Sequence, residues 1–248
     1  MNVDLFGRTA VVTGTSGGIG LAIANALADS GAVVHGLSRT GAVKEGERPS
    51  HPGVRHLKAD LLDYPALAGT IERIAAGDGL DILVNNAGAT ARCRAEEFLD
   101  EDFDHIHNLN VKSVFKLSCL CYRRLKASPH VGRIINIASM AAHLGFSEVV
   151  PYCSSKGAVL AMTRGLAVEW ARDNITVNSI SPGWFPSNMT RKVMDGDRRA
   201  KILARMPLHA FGDPADLGSL AAYLVSDAAR YITGQDFAVD GGALAFGF

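Results

Sequence analysis

Tyr152 and Lys156 stand four residues apart in the stretch Tyr152-Cys153-Ser154-Ser155-Lys156. On a helix, positions i and i+4 share a face, so this spacing sets an ammonium beside a phenol. A free tyrosine has a pKa near 10 and is seldom a phenolate at neutral pH. A neighbouring cation favours the charged form and moves it towards the range useful for proton transfer. Thirteen residues before the tyrosine, Ser139 closes the apolar run 134–138, and its hydroxyl could donate to an oxygen on which charge develops. The same spacing arises on the surface of an ordinary amphipathic helix, so a second site is needed to give the pair meaning.

The stretch Thr13-Gly14-Thr15-Ser16-Gly17-Gly18-Ile19-Gly20 supplies a candidate for it. A pyrophosphate needs close backbone approach, N–H donors and the positive end of a helix dipole, and a glycine turn opening a helix provides all three. A tight turn without a ligand would look alike, but the apolar run before it and the helical stretch after it favour a dinucleotide reading.

Elements that could position these groups alternate along the chain. Strands are predicted at 9–13, 32–37, 54–59, 82–84, 133–138, 176–180 and 237–239, and helices at 19–30, 65–76, 98–126, 152–172 and 214–225. Several strands are continuous apolar runs, as expected where both faces are covered. Such alternation predicts an α/β doubly wound parallel sheet with helices on both faces. No repeat or low-complexity linker divides the chain, so residues 1–248 are read as one domain, with a cofactor half over 1–130 and a catalytic and substrate half over 131–248. Two segments break the alternation, a polar loop at 39–52 and a mixed stretch at 184–207. Both follow strand C-termini, where such sheets bind ligands.

Composition narrows the function classes. Lys plus Arg total 25 and Asp plus Glu total 25, a balance that argues against nucleic acid or an anionic membrane as partner. At 48% hydrophobic and 20% charged, the 248-residue chain is too apolar to be disordered. It has no apolar run of transmembrane length, and its first eight residues leave no room for a signal segment, so a cytoplasmic location is expected. Cys93, Cys119, Cys121 and Cys153 match no zinc spacing and read as free thiols. No metal is expected: the histidines form no ligand arrangement, and His105 and His107 face apart on a helix.

Taken together, the motifs resemble the short-chain dehydrogenase/reductase family. TGxxxGIG, Asn85-Asn86-Ala87-Gly88, Asn110, Ser139, YxxxK and Val177-Asn178-Ser179-Ile180-Ser181-Pro182-Gly183 occur in family order, down to Val239-Asp240-Gly241-Gly242. The resemblance implies a Rossmann-type fold in which Tyr152 is the general acid/base and Lys156 binds the nicotinamide ribose and lowers the tyrosine pKa. Ser139 positions the carbonyl or alcohol, and Asn110 extends a proton relay through a water held by its backbone. It also implies cofactor contacts from Gly14, Ser16, Gly18, Ile19 and Gly20, and from Asp60 and Leu61 at the adenine. Asn86, Ala87 and Gly88 lie where backbone and cofactor meet, Pro182, Gly183 and Phe185 face the nicotinamide, and Ser187 replaces the threonine of PGxxxT. Asp60 could equally cap a helix.

Ser38 and Arg39 match the place where the family sorts NAD from NADP. No acid stands there, and Arg39 can donate a bidentate pair to a 2′-phosphate, which favours NADP(H) over NAD(H). Arg39 could also be a solvated loop residue, and the family's second basic residue, just before the GxG, is Gly17 here.

Residues 85–98 resemble the branch that oxidises sugar acids such as gluconate and deoxygluconate, with Arg92 matching its arginine. Residues 183–190 resemble gluconate 5-dehydrogenases and some β-ketoacyl reductases. A carboxylate substrate would make sense of Arg92, Arg94 or His143 in a pocket walled by Trp184, Phe185 and Met189. The arginines could instead be exposed or interface charges. The expectation is an NAD(P)-dependent oxidoreductase interconverting a secondary alcohol and a ketone on a sugar acid or polyol. A 3-oxoacyl-thioester (acyl-carrier-protein) reductase is the alternative enzyme. A non-catalytic dinucleotide-binding regulator is the alternative of another class, although such proteins usually lose the Tyr or Lys. Surplus apolar surface on the long helices suggests a homotetramer or homodimer.

Overall fold

The computed structural model describes residues 3–185 and 196–246. Runs of β-branched and aliphatic residues form β1 (Thr9–Thr13), β2 (Val33–Ser38), β3 (Val54–Lys58), β4 (Ile82–Asn85), β5 (Gly132–Ile137), β6 (Ile175–Pro182) and β7 (Asp236–Val239). All pair in parallel, in the order β3-β2-β1-β4-β5-β6-β7. The chain therefore winds outward twice from β1, once through β2 and β3 and once through β4 to β7. The seam between β1 and β4 is the switch point at which such sheets open a ligand crevice at their C-terminal edge.

The helices are α1 (Gly18–Asp29), α2 (Tyr64–Asp78), α3 (Asp100–His107), α4 (Ser113–Lys126), α5 (Val150–Trp170), α6 (Gly196–Ala204) and α7 (Pro214–Val225). Asp63 caps α2 by accepting from Ala66 N, and Asp213 and Asp216 form a capping box at α7. On one sheet face α1 and α7 cover Val12, Val34, Ile135 and Ile180; on the other α2, α4 and α5 cover Val11, Leu83, Ile134 and Val177. Both faces of the central strands are thus buried, which is why these strands read as unbroken apolar runs.

Two expectations are corrected. The helix expected over 98–126 is interrupted by a π-helical segment, Asn108–Lys112, that separates α3 from α4. The apolar spacing of a single π turn hardly departs from that of an α-helix, so the slip leaves no mark in the pattern. The stretch 184–207, expected as a mixed insertion that breaks the alternation and assigned no helix, carries α6.

Candidate active site

Tyr152 and Lys156 lie on the first turns of α5, with the lysine Nζ 5.7 Å from the centre of the tyrosine ring. The ammonium is buried and donates to Ile137 O at 2.7 Å, so the end of β5 fixes where it points. Ser139 follows the same strand. It is buried, accepts from Ala141 N at 3.1 Å, and its hydroxyl lies near enough to the Tyr152 phenol to favour the phenolate. Three groups predicted from spacing are therefore brought together at the C-terminal edge of β5.

Asn110 sits in the π-helical segment, fully buried. Its Oδ1 accepts from Ala89 N at 2.8 Å, and its Nδ2 donates to Ala89 O at 2.9 Å and to Ser155 Oγ at 3.0 Å. The side chain thus ties the loop after β4 to α5 one residue before the lysine. A carbon added at Gly88 would lie 3.1 Å from Asn110 Oδ1 and 3.7 Å from Lys156 Nζ, so the loop passes close to both. π segments recur at functional sites because the slipped register re-aims a side chain.

Electrostatics correct one expectation. Burial raises the Tyr152 phenol above its ordinary value, a rise that the nearby Ser139 hydroxyl offsets only in part. Burial also lowers Lys156 from 10.5 to about 8. Both shifts have one cause: a low-dielectric pocket disfavours the charged form of either group. Proximity to Lys156 alone therefore does not acidify the phenol; the positive charge of an oxidised nicotinamide is the second contribution that the expectation requires.

The glycine turn is locked to the end of β4. Thr13 Oγ1 accepts from Asn86 N and Ala87 N, each at 3.0 Å, and Asn86 Nδ2 donates to Thr13 O at 2.8 Å. Gly14 turns the chain at φ +77, and a carbon there would meet Asn86 Nδ2 at 2.6 Å. Behind the crevice a buried polar line crosses the sheet: Asn85 donates to Ser118 and Asn136, and Asn136 to Thr163.

These residues fit a dinucleotide. The first turn of α1 carries no acid of its own, and its leading N–H groups lack intrahelical acceptors. Thr15 Oγ1 is buried in that turn with no hydrogen-bond partner among the described residues. At the adenine end, Ser38 is buried while Arg39 and Asp60 are exposed. Asp60 accepts from Leu62 N at 3.0 Å, whereas the cap of α2 is Asp63, so the alternative role of Asp60 as a helix cap falls away. Leu61 is in the core.

Several expected ligand contacts are placed otherwise. Arg92 Nε donates to Glu148 Oε2 at 2.6 Å, and Arg94 is paired with Glu96. His143 faces Asp236 Oδ2 at 2.8 Å, beside Ser181. Each cation that was to meet a substrate carboxylate is already matched by an acid of the chain. Phe185 is buried and packs with the core residues beneath α1 and α7. Trp184 is half-buried against Phe146, 6.4 Å between ring centres. Ser187 and Met189 lie outside the described residues.

The sequence reading missed Glu47. Its carboxylate accepts from Gly18 N at 2.8 Å, at the N-terminus of α1. A lone glutamate in a polar loop carries no local signal for that, because its partner is 29 residues away.

A glycine turn at a sheet switch point, with a tyrosine, a lysine and a serine gathered at the same edge, defines a dinucleotide-dependent oxidoreductase acting on CH–OH groups. A family model described as "Enoyl-(Acyl carrier protein) reductase" matches residues 14–243, and the chain belongs to the short-chain dehydrogenase/reductase family. It is 41% identical to 2-dehydro-3-deoxy-D-gluconate 5-dehydrogenase of Dickeya dadantii, over 98% of this chain and 97% of that protein. It is 36% identical to the 3-oxoacyl-[acyl-carrier-protein] reductase of Rickettsia felis, over 98% and 99%. Among solved structures, it superposes with a TM-score of 0.89 and 30% identity on a gluconate 5-dehydrogenase from Burkholderia cenocepacia in complex with NADP and tartrate, covering 98% of both chains.

Proposed function

We propose that this chain is an NADP(H)-preferring dehydrogenase/reductase of a sugar acid, with Tyr152 as general acid/base. The observation that carries it is the gathering of Tyr152, Ser139 and Lys156 at the strand edge beside the α1 glycine turn. The sugar-acid reading draws support from the Dickeya and Burkholderia relatives. The NADP(H) preference draws support from Arg39 and from the NADP in the Burkholderia complex. Residues 39 and 38 lie at the end of β2, Asp60 and Leu61 at the end of β3, and the glycine turn between them and the catalytic trio. That is the span a dinucleotide needs.

A nicotinamide ring bound here would accept or supply the hydride, and its positive charge when oxidised would favour the phenolate. For oxidation, Ser139 holds the substrate hydroxyl and the Tyr152 oxygen takes its proton, while the C–H bond gives up the hydride and C=O forms. For reduction, Tyr152 returns the proton to the carbonyl oxygen. Lys156 holds ribose hydroxyls, and Asn110 keeps the relay side of α5 in place. Pro182 and the Gly183 backbone, whose N–H donates to Val239 O at 2.9 Å, form the wall at the end of β6.

A panel of gluconate, deoxygluconate, polyols and an acetoacetyl thioester with each coenzyme tests this reading. Turnover of a sugar acid with NADP is expected; exclusive reduction of the thioester would overturn it in favour of the acyl reductase. Tyr152→Phe is expected to lower kcat about 10²- to 10⁴-fold while coenzyme binding persists. Unchanged turnover would remove Tyr152 from the chemistry. The cytoplasm is the expected location; among the described residues, no helix is long and apolar enough to cross a membrane. A homotetramer is the proposed assembly, since Phe115 on α4 and Val168 on α5 are exposed, the latter at 82%. Light scattering should give four times the chain mass.

A further inference from the structure

Residues 39–53 do not simply connect β2 to β3; they lie along α1. Lys44 N donates to Ser16 O at 2.9 Å, and Glu47 Oε2 accepts from Gly18 N at 2.8 Å. Further along, Asn25 of α1 donates to Pro49 O at 3.0 Å and accepts from His51 N at 2.8 Å. Arg48 reaches across to Asp213, the cap of α7, at 2.7 Å. A cleft of about 680 Å³ runs beside this strap, lined by Gly18, Asn25, Glu47, Arg48, Phe211 and Asp213.

The strap sets a carboxylate on the turn that receives phosphate. Glu47 lies directly over Gly17: a carbon added there would stand 2.6 Å from Glu47 Oε1 and 2.7 Å from its Cγ. Gly17 stands just before the GxG of the turn and offers no side chain there, neither a cation nor any bulk. Its extended backbone (φ 163) would suit any residue, so the absent side chain, not the conformation, is what admits Glu47. A negative charge therefore stands over the turn, while Arg39 stands exposed at the end of β2.

We infer that Glu47 is a coenzyme-selecting residue: its carboxylate on the α1 N-terminus opposes the 2′-phosphate that Arg39 attracts, and so narrows the preference for NADP(H) over NAD(H). This rests on the dinucleotide reading above and deepens it. Like charges repel across a few ångströms of partly screened solvent, and NADP(H) brings more negative charge to this end than NAD(H) does. A carboxylate that holds Gly18 N–H also competes with any phosphate for that donor.

Calorimetric Kd values for NADPH and NADH with the whole wild-type chain, Glu47→Gln, Gly17→Ala and Arg39→Ala test it. Glu47→Gln keeps the shape and removes the charge; Gly17→Ala keeps the charge and displaces it. Both are expected to raise the ratio Kd(NADH)/Kd(NADPH) at least fivefold, chiefly by tightening NADPH. A ratio that stays within twofold of wild type in both variants overturns the inference. The proposed NADP(H) preference fails separately, if wild type binds NADH more tightly and Arg39→Ala leaves the ratio unmoved. Binding of neither coenzyme by any form overturns the dinucleotide reading and this inference with it.

Discussion

The buried ammonium of Lys156 has a consequence for stability that is separable from catalysis. Its pKa is lowered by burial from 10.5 to about 8, so the unfolded chain binds more protons than the folded one between those values. Stability must then rise as pH rises from about 8 towards 10.5, because unfolding takes up a proton there. The phenol works in the opposite sense: burial raises the Tyr152 pKa above 10.0, so its contribution is present below that value and lost as pH climbs past it. Between pH 8 and 10 the lysine therefore acts alone of the pair. Lys156→Met is expected to abolish most activity yet remove this rise, so urea midpoints measured at pH 8 and 9.5 should differ in wild type more than in the variant. Equal differences in both would mean that the ammonium is not desolvated. The site was legible at this scale because YxxxK and the Ser139 spacing are local patterns on one helix and one strand end. The direction of the phenol shift was not, since it depends on how much water the folded pocket excludes, and no spacing records that.

Elements hold these residues through a few buried polar ties, and the π-helical Asn108–Lys112 segment carries the most consequential one. Asn110 satisfies both backbone groups of Ala89 and the hydroxyl of Ser155 with a single carboxamide. Asn110→Leu strands the N–H and C=O of Ala89, where each unsatisfied group costs about 1–3 kcal/mol, and takes a donor from Ser155 Oγ, which keeps its own bond to Tyr152 O. A stability loss of roughly 2–4 kcal/mol is expected, together with a fall in kcat as the Ala89 loop and α5 lose registry. Asn110→Asp keeps the acceptor for Ala89 N and loses both donated bonds, so it should fall between wild type and leucine. Denaturant melts of the three proteins decide it: equal stability of the Asp and Leu variants would show that the tie does not run through these bonds. The asparagine itself was readable from its place in the family's order of motifs; the π slip that aims it was not. Strand limits were readable to within one or two residues wherever the run was apolar and covered on both faces, as in β1 and β5. The helix α6 was hidden because its stretch mixes charge with large apolar residues. Glu47 was hidden for a third reason, that its partner lies on another element and only the course of the strap brings them together.

Because all strands run the same way, the whole molecule is polarised, with chemistry at one edge of the sheet and structural charge at the other. A strand of six residues separates the two edges by roughly 20 Å. At the edge away from the crevice, two guanidiniums serve the end of α7. Arg133 is buried at the start of β5 and donates to Ser226 O at 2.9 Å, Ala229 O at 3.3 Å and Thr176 Oγ1 at 3.1 Å. Arg8 donates to Val225 O at 3.0 Å and pairs with Asp227 at 2.6 Å. Cations suit this place because a helix C-terminus leaves carbonyls without donors and carries partial negative charge. The arrangement is costly, since burial and the nearby Arg8 lower the Arg133 pKa to about 10. Arg133→Met removes three hydrogen bonds donated by a charged group and is expected to destabilise the fold by about 1–3 kcal/mol. The catalytic edge should not notice: kcat and KM are expected to stay within twofold of wild type at a temperature where both proteins are folded. Arg133→Lys keeps the charge but not the fork, and should recover only part of the loss. Thermal melts beside steady-state kinetics separate the edges. A variant that kept its stability but lost activity would mean that the two ends of the sheet are coupled, contrary to the polarity that the parallel topology builds in.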